Sequence, residues 1–186
     1  MFALVKNETV TNPQTQETSD VQVIKIFAPY TIWEDKHGTQ YSPDSLIALT
    51  ADQKQDLGIY DVAYGTRADD RFYTITENAP SFDQVEKIVK VTYSATAKDM
   101  QDGGESKGLK SEWIAQINQT ANSLLAQSDW MLVRKIERSV DVPADMVTYR
   151  AAVITEANRL TTAITAATTV TQLITAINSI SWPTVE

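Results

Sequence analysis

The order of hydrophobic and polar positions divides the chain into a front part that favours strands and a back part that favours helices. Val, Ile, Thr, Phe and Tyr, which pack well on a pleated sheet, are concentrated in five segments of the front part. These segments are residues 2–10, 21–33, 59–64, 71–76 and 86–93. We expect them to form a small antiparallel sheet, because a parallel crossover would need longer helices than this part predicts.

One short helix is also indicated in the front part. Thr50 is a suitable N-cap, and Gln53 follows at the capping-box spacing. Gly58 can end the helix in a left-handed conformation. These positions predict a two-turn helix over residues 51–57.

In the back part, apolar residues recur every three or four positions, which is the period of an α-helix with one buried face. The first predicted helix begins at Leu109, and its buried face consists of Leu109, Trp113, Ile117, Ala121, Leu124 and Leu125. The second begins at Pro143, with a buried face of Val147, Ala151, Ile154 and Ala157. The third covers residues 170–179, buries Val170, Leu173, Ile174 and Ile177, and is capped by Thr168 or Thr169.

The distribution of charge supports a boundary between the two parts. Residues 1–106 carry nine Lys or Arg against seventeen Asp or Glu, whereas residues 107–186 carry seven of each. The polar run 101–106 contains two adjacent glycines and suits a linker. We therefore predict an α+β protein with a small antiparallel β-rich domain, residues 1–105, and a helical domain of about three helices, residues 106–186.

Composition excludes several classes of protein. With 42% apolar and 22% charged residues, the chain can bury a core. It has no cysteine, which excludes disulfides and thiolate metal sites. A net charge of −8 argues against binding to nucleic acid or to an anionic membrane. No apolar run is long enough for a membrane span, and the first residues lack the pattern of a signal peptide, so we expect a soluble protein made in a cytoplasm.

An uncharged stretch covers residues 160–185, and seven threonines lie between Thr161 and Thr175. One interpretation is a helix packed against its neighbours, with threonines at the rim. The other is a surface for self-association or for a partner, because uncharged helical faces are rarely left in water.

The residues that could carry catalysis do not converge on one site in the sequence. His37 is the only histidine and lies in a turn, and the pair Asp69-Asp70 lacks the spacing of a calcium loop. Gly103-Gly104 lacks the lysine of a phosphate-binding loop. We therefore predict a protein that is not an enzyme and that has no metal ion or cofactor.

Aromatic residues suggest two further roles. The four tryptophans are Trp33, Trp113, Trp130 and Trp182. In the back part they are expected mainly to hold helices together, although one of them could anchor an interface. In the front part, Tyr30, Trp33 and Tyr41 flank a loop and could stack on a sugar ring.

A set of spaced residues in the back part resembles a known family. These residues are Leu124-Leu125, Ser128-Asp129-Trp130, Val142-Pro143, Tyr149-Arg150 and Trp182-Pro183. The pattern resembles the C-terminal part of bacteriophage tail assembly chaperones and tail-fibre assembly proteins, and it extends over about a third of the chain. The front part, around Leu49-Thr50 and residues 57–60, is also similar to the front of some phage tail-associated proteins.

The chain also departs from that family's pattern. Met146 and Ile154 stand where the family usually has Trp and Arg on either side of the Tyr-Arg pair, and residues 161–178 look like an insertion. We expect Asp129 to cap the turn at Trp130, and Trp130 to pack across the helix that carries Tyr149. Arg150 should face an acidic neighbour or backbone carbonyls. These residues, with Trp182, are candidates for fold-determining or partner-binding positions.

Four functions follow from these observations. The resemblance implies a non-catalytic tail protein of the virion, a connector or fibre subunit at the tail tip or fibre. Its partners would be other tail or fibre proteins and copies of itself, for example in a trimer. The alternatives are a transient tail-fibre assembly chaperone, a carbohydrate-binding adhesin for host attachment that uses the front aromatics, and a hydrolase of unrecognised type.

Overall fold

The computed structural model of the chain describes residues 1–11, 13, 14 and 16–184. The chain forms two compact units: unit 1 is residues 1–68 and 75–95, and unit 2 is residues 69–74 and 96–186. The predicted α+β class is confirmed, with a β-sheet region followed by a helical region. The chain leaves unit 1 for the last time between residues 95 and 96, whereas the sequence suggested a boundary at 105.

Unit 1 is organised around a five-stranded sheet. The strands of the chain are β1 (Phe2–Thr11), β2 (Thr18–Phe27), β3 (Trp33–Glu34), β4 (Gln40–Tyr41), β5 (Ile59–Tyr64), β6 (Tyr73–Glu77), β7 (Ser81–Asp83), β8 (Ile88–Val91) and β9 (Tyr93–Ala97). The sheet has the order β2-β1-β5-β8-β7, and β3–β4 and β6–β9 form separate pairs. Because side chains alternate along a strand, Leu4 enters one core cluster, while its neighbours Ala3 and Val5 enter another.

One pairing in this sheet is parallel, which corrects the expectation of an entirely antiparallel arrangement. β8 runs parallel to β5, from Asp61 opposite Ile88 to Tyr64 opposite Val91. The expectation assumed that a parallel crossover requires a long helix. Residues 65–87 connect the two strands here, and they carry β6 and β7 in place of a helix. The length of the connection, and not its helical content, is what permits the parallel pair.

Several strand boundaries also differ from the sequence prediction. The segment 21–33 does not form one strand, because β2 ends at Phe27, shortly before Pro29, which has no N–H for a ladder. The segment 86–93 is divided between β8 and β9. β7 forms where no strand was predicted, since three residues are too few to show a period.

The short helix of the front part is confirmed, together with its cap. Helix α1 (Pro43–Ala48) is followed by helix α2 (Ala51–Asp56), which begins after Thr50. The Thr50 hydroxyl accepts a hydrogen bond from the backbone N–H of Gln53, whose side chain accepts one from the N–H of Thr50. Gly58 has φ +81°, as predicted for the end of this helix. The expectation of a single helix was wrong, because α1 is too short for a recognisable apolar period.

Unit 2 contains the three predicted helices, α3 (Leu109–Arg138), α4 (Ala144–Ala166) and α5 (Val170–Asn178). The predicted face of α3 is confirmed: Leu109, Ile117 and Ala121 are buried, and Trp113, Leu124 and Leu125 pack against the same core. Thr169 caps α5, because its hydroxyl accepts a hydrogen bond from the N–H of Gln172 at 3.3 Å.

The predicted buried face of α4 is wrong in rotation. Its buried residues are Val153, Ala157, Leu160 and Ile164, so only Ala157 was assigned correctly. Val147 and Ile154 are about half exposed, at 54% and 48%. Val153 and Ile154 are adjacent in the sequence and are both apolar. Composition alone therefore did not show which of two helical faces, about 100° apart, is buried.

The uncharged stretch packs into the core of unit 2. Leu160, Ile164, Leu173 and Ile177 of this stretch are buried, and Val170, Ile174 and Ile180 pack against the same core. The hydroxyls of Thr162, Thr165 and Thr175 donate to carbonyl oxygens four residues earlier in their own helices. The interpretation as packed helices with threonines at the rim is therefore confirmed up to residue 184, and Val185 lies outside the described residues.

Candidate functional site: the helical hairpin

Helices α3 and α4 form an antiparallel hairpin that carries most of the residues of the spaced motif. Helix α3 ends at Ser139, which has a left-handed conformation with φ +55° and donates its N–H to the Lys135 carbonyl. Lys135 also pairs with Asp141 across this turn, at 3.2 Å. Pro143 then precedes α4, because its fixed φ suits a helix start.

Arg150 joins the two helices of the hairpin. Its Nη1 donates to the Leu125 carbonyl at 2.7 Å and to the Ser128 hydroxyl at 2.6 Å. It also pairs with the Asp129 carboxylate at 2.9 Å. Only 15% of the Arg150 side chain is exposed, and Ser128 is buried. The expectation that Arg150 faces an acidic neighbour or backbone carbonyls is confirmed, since it does both.

Asp129 does not cap a turn, which corrects the sequence prediction. It lies inside the 30-residue helix α3, where the backbone N–H groups are already bonded within the helix. Its carboxylate binds Arg150 from the exposed side of the contact. Asp129 therefore acts as a partner of Arg150, and Ser128 supplies the buried part of the same contact.

Trp130 was expected to pack across the helix that carries Tyr149, but it lies outside the core that α3 and α4 form. Trp130 is 53% exposed, and its ring lies 4.9 Å from the guanidinium carbon of Arg134 on its own helix. Tyr149 instead packs against the core of unit 2. Asp129 lies at the edge of the contact between α3 and α4. Trp130 follows it directly and points away from this contact, because neighbouring positions on a helix are rotated by about 100°.

Trp130 belongs to a set of exposed apolar side chains near the end of the hairpin. The set comprises Trp130, Leu132, Val133, Ile136, Val140, Val147 and Ile154, which we call the hairpin apolar set. Among the described residues, seven of the fifteen exposed large apolar side chains lie in this set, within 25 residues of sequence. Ile136 is 84% exposed. Such a concentration is typical of a surface that meets another protein.

The sequence contains a signal for this set. Val147 and Ile154 are seven residues apart and therefore lie on one side of α4, and they were interpreted as core. In α3, Trp130, Val133 and Ile136 follow one another at three-residue steps, beyond the last residues of the predicted buried face. A second apolar face on a helix is the pattern that could have indicated an interface.

Trp182 lies in the segment that follows α5. It is partly buried and packs against the core of unit 2. Its segment is held by Glu156, whose carboxylate accepts the Ser181 N–H at 2.9 Å and binds Arg159 at 2.7 Å. The hydrogen bond from the Arg159 side chain is the main reason that the pKa of Glu156 is lowered, and the hydrogen bond from the Ser181 N–H lowers it further.

The three aromatic residues proposed for sugar binding are not assembled into an open site, which corrects that prediction. Trp33 is buried and stacks on Tyr41 at 4.4 Å between ring centroids. Its indole N–H donates to the Ser42 carbonyl and the Ser45 hydroxyl. Tyr30 is 77% exposed. Trp33 and Tyr41 are therefore core residues of unit 1, and only Tyr30 faces solvent.

A buried carboxylate explains why Tyr41 is fixed. Asp35 is 3% exposed and accepts hydrogen bonds from the N–H groups of His37 and Thr39 and from the Tyr41 hydroxyl. Burial alone would raise the pKa of Asp35, but these hydrogen bonds outweigh it and lower the pKa. Gly38, with φ +85°, closes the turn around this carboxylate. The group stabilises the β3–β4 turn.

The other residues considered for chemistry are separated from one another. His37 is exposed in the β3–β4 turn, and Asp69 forms a two-point ion pair with Arg71. Among the residues that the structure describes, no three His, Cys, Asp or Glu side chains are grouped so that they could hold a metal ion. None of the helices within residues 1–11, 13–14 and 16–184 is long and apolar enough to span a bilayer.

The helical hairpin, with Arg150 inside it and Trp130 on its surface, is therefore the candidate functional site. No protein-family model matches this sequence, and no curated protein or solved structure matches it either.

Proposed function

We propose that the protein is a non-catalytic structural component of a bacteriophage tail, at the tail tip or fibre, where it connects other tail proteins. The observation that carries this proposal is the hairpin apolar set, because large apolar side chains gathered on a helical surface are suited to protein–protein contact. The resemblance of the motif around Trp130 and Arg150 to tail assembly proteins supplies the biological setting.

The hairpin is built to present a surface rather than to change shape. Arg150 holds α3 and α4 together through three acceptors on one helix, and Ser139 ends α3 at the turn in a left-handed conformation. A rigid surface loses little conformational entropy on binding, which favours a stable attachment. Trp130 is the expected anchor, since tryptophan is enriched among residues that dominate interface energetics.

The two units present different kinds of surface, which suits a part with two distinct attachments. Unit 1 is acidic, with seven Lys or Arg against twelve Asp or Glu, whereas unit 2 carries the hairpin apolar set. The acidic surface favours a basic partner, whereas the hairpin apolar set favours an apolar one. The partners would be other tail or fibre proteins and further copies of this chain, for example in a trimer.

The first test is quantitative mass spectrometry of purified particles of the source phage, compared with the unfractionated lysate. A tail component should appear in a fixed ratio to known tail proteins, and that ratio gives its copy number. If the chain is abundant in the lysate and missing from particles, it is a transient assembly chaperone and the proposal fails.

A second test asks whether the hairpin makes the attachment. Ile136→Ser and Trp130→Ser should lower incorporation into particles without lowering the stability of the free protein, because both side chains are exposed. Val85→Ser is the matched control, since Val85 is 92% exposed in unit 1 and lies outside the hairpin. Equal incorporation of all three variants would mean that another surface makes the contact.

A further inference from the structure

Unit 2 contains a cleft that the proposed function does not use. It lies between the first turns of α3 and the end of α5, and has a volume of about 470 Å³, which is within the range of small-ligand sites. Its apolar residues are Trp113, Ile177 and Ile180. Among these, Ile177 is buried and the other two are partly exposed, so the cleft has an apolar floor open to solvent.

The floor is held rigidly by an aromatic stack. Trp113 stacks on Phe72 at 5.5 Å between centroids and 14° between planes. The guanidinium carbon of Arg71 lies 5.3 Å from the Phe72 ring and 5.8 Å from the Trp113 ring. Asp69 binds Arg71 through both carboxylate oxygens, with distances of 2.7 to 3.1 Å. The arginine is thus fixed in place, and its charge is balanced before any ligand arrives.

The rim of the cleft is polar and open for hydrogen bonding. Glu112 and Gln116 are four residues apart on α3 and line one wall, and Asn178 at the end of α5 lines the other. All three are exposed. Within the described chain, the side chains of Gln116 and Asn178 make no hydrogen bond to another residue. Each amide offers both donors and an acceptor to a ligand.

These features together define the chemistry of a ligand. It should have an apolar face for Trp113 and the two isoleucines, and an edge of groups that both donate and accept hydrogen bonds for the amides. A pyranose ring has this combination, with C–H groups on its face and hydroxyls on its edge. We propose that this cleft binds a neutral saccharide, with Trp113 as the apolar platform and Gln116 and Asn178 as hydroxyl ligands.

Charge argues against an anionic ligand at the same place. Among the described residues that line the cleft, Arg71 is the only cationic one, and Asp69 already neutralises it. Glu112 adds a negative charge to the rim. A phosphate or a sialic-acid type carboxylate would therefore meet net repulsion, whereas a neutral hydroxyl can donate to Glu112. The saccharide class is thus restricted to uncharged sugars.

The test is an array of neutral and acidic oligosaccharides probed with the labelled full-length protein, followed by titration of the strongest neutral ligand using tryptophan fluorescence. We expect binding to neutral sugars, with at least tenfold weaker binding for Gln116→Ala and for Asn178→Ala. Gln119→Ala is the matched control, because Gln119 is an exposed glutamine of the same helix outside the cleft; it should bind normally. Circular dichroism would verify that all three variants are folded.

Three results would overturn the proposal: no sugar on the array binds, only acidic sugars bind, or both cleft variants bind as well as the control. These results are independent of incorporation into particles, since the cleft and the hairpin apolar set share no residue. A protein that attaches through its hairpin and binds no sugar would refute this inference and leave the proposed function intact.

Discussion

The contact made by Arg150 gives the most direct test of how the hairpin is held together. We consider Arg150→Met, which keeps the aliphatic stem and removes the guanidinium. The substitution loses two hydrogen bonds to shielded acceptors, the Leu125 carbonyl and the Ser128 hydroxyl, and one ion pair with Asp129. The Ser128 hydroxyl still donates to Leu125 at 3.0 Å, so neither acceptor is left entirely without a partner.

The magnitude follows from the exposure of the partners. Hydrogen bonds to charged groups contribute about 1.5–3 kcal/mol each, but these acceptors remain partly satisfied, so we expect a total loss of about 2–3 kcal/mol. Asp129 is 56% exposed, and exposed ion pairs contribute only about 0.2–1 kcal/mol. Asp129→Asn should therefore cost less than about 1 kcal/mol. The double variant should be no less stable than Arg150→Met alone, because the ion pair is already absent.

Urea unfolding followed by circular dichroism at 222 nm measures these differences, since the two long helices that dominate this signal, α3 and α4, belong to unit 2. A shift of the midpoint with an unchanged slope would indicate a change in stability alone. The reasoning is refuted if Asp129→Asn costs as much as Arg150→Met, because the exposed ion pair would then be the main contribution. A loss below about 0.5 kcal/mol for Arg150→Met would also refute it, since that is the level of an ordinary surface substitution.

Three further predictions concern unit 1. Trp33→Ala should destabilise the protein by about 3–5 kcal/mol, as for other buried aromatic residues, and thermal unfolding would measure the loss. Gly58→Ala should cost about 1–2 kcal/mol or more in the same assay, because φ is +81° and a Cβ would lie 2.9 Å from a carbonyl oxygen of β1. The pKa of Asp83 is lowered to about 2 by the N–H of Glu86 and the side chain of Lys90. Its stabilising effect should therefore be complete above its ordinary pKa of 3.8 and be lost as the pH falls towards 2, so acid unfolding of Asp83→Asn should depend less on pH in that window.

Local sequence signals predicted the elements whose cause is local. The Thr50–Gln53 capping box, the left-handed Gly58 and the threonine cap of α5 depend on residues within four positions of one another, and all were confirmed. The buried face of α3 was also predicted, because apolar residues that recur every three or four positions over several turns indicate a single buried face.

The candidate site was predicted only in part. Arg150 was expected to meet an acidic group or carbonyls, and it does, but Trp130, which was expected to pack across α4, is about half exposed. An aromatic residue in a helix can face either a core or a partner with the same local pattern. The predicted sugar site of the front part was wrong for the same reason, since Trp33 and Tyr41 stack inside unit 1.

The sequence by itself determined the α+β class, the three helices of unit 2 and the caps, because these depend on periodicity and on hydrogen bonds between near neighbours. Only the tertiary structure decided the parallel pairing of β5 with β8, the rotation of α4 and the outward face of the hairpin. Each of these depends on what lies opposite a residue in space, and Val147 and Val153 carry the same side chain on different faces of one helix. The hairpin apolar set can therefore be identified only when it is known which face each helix buries.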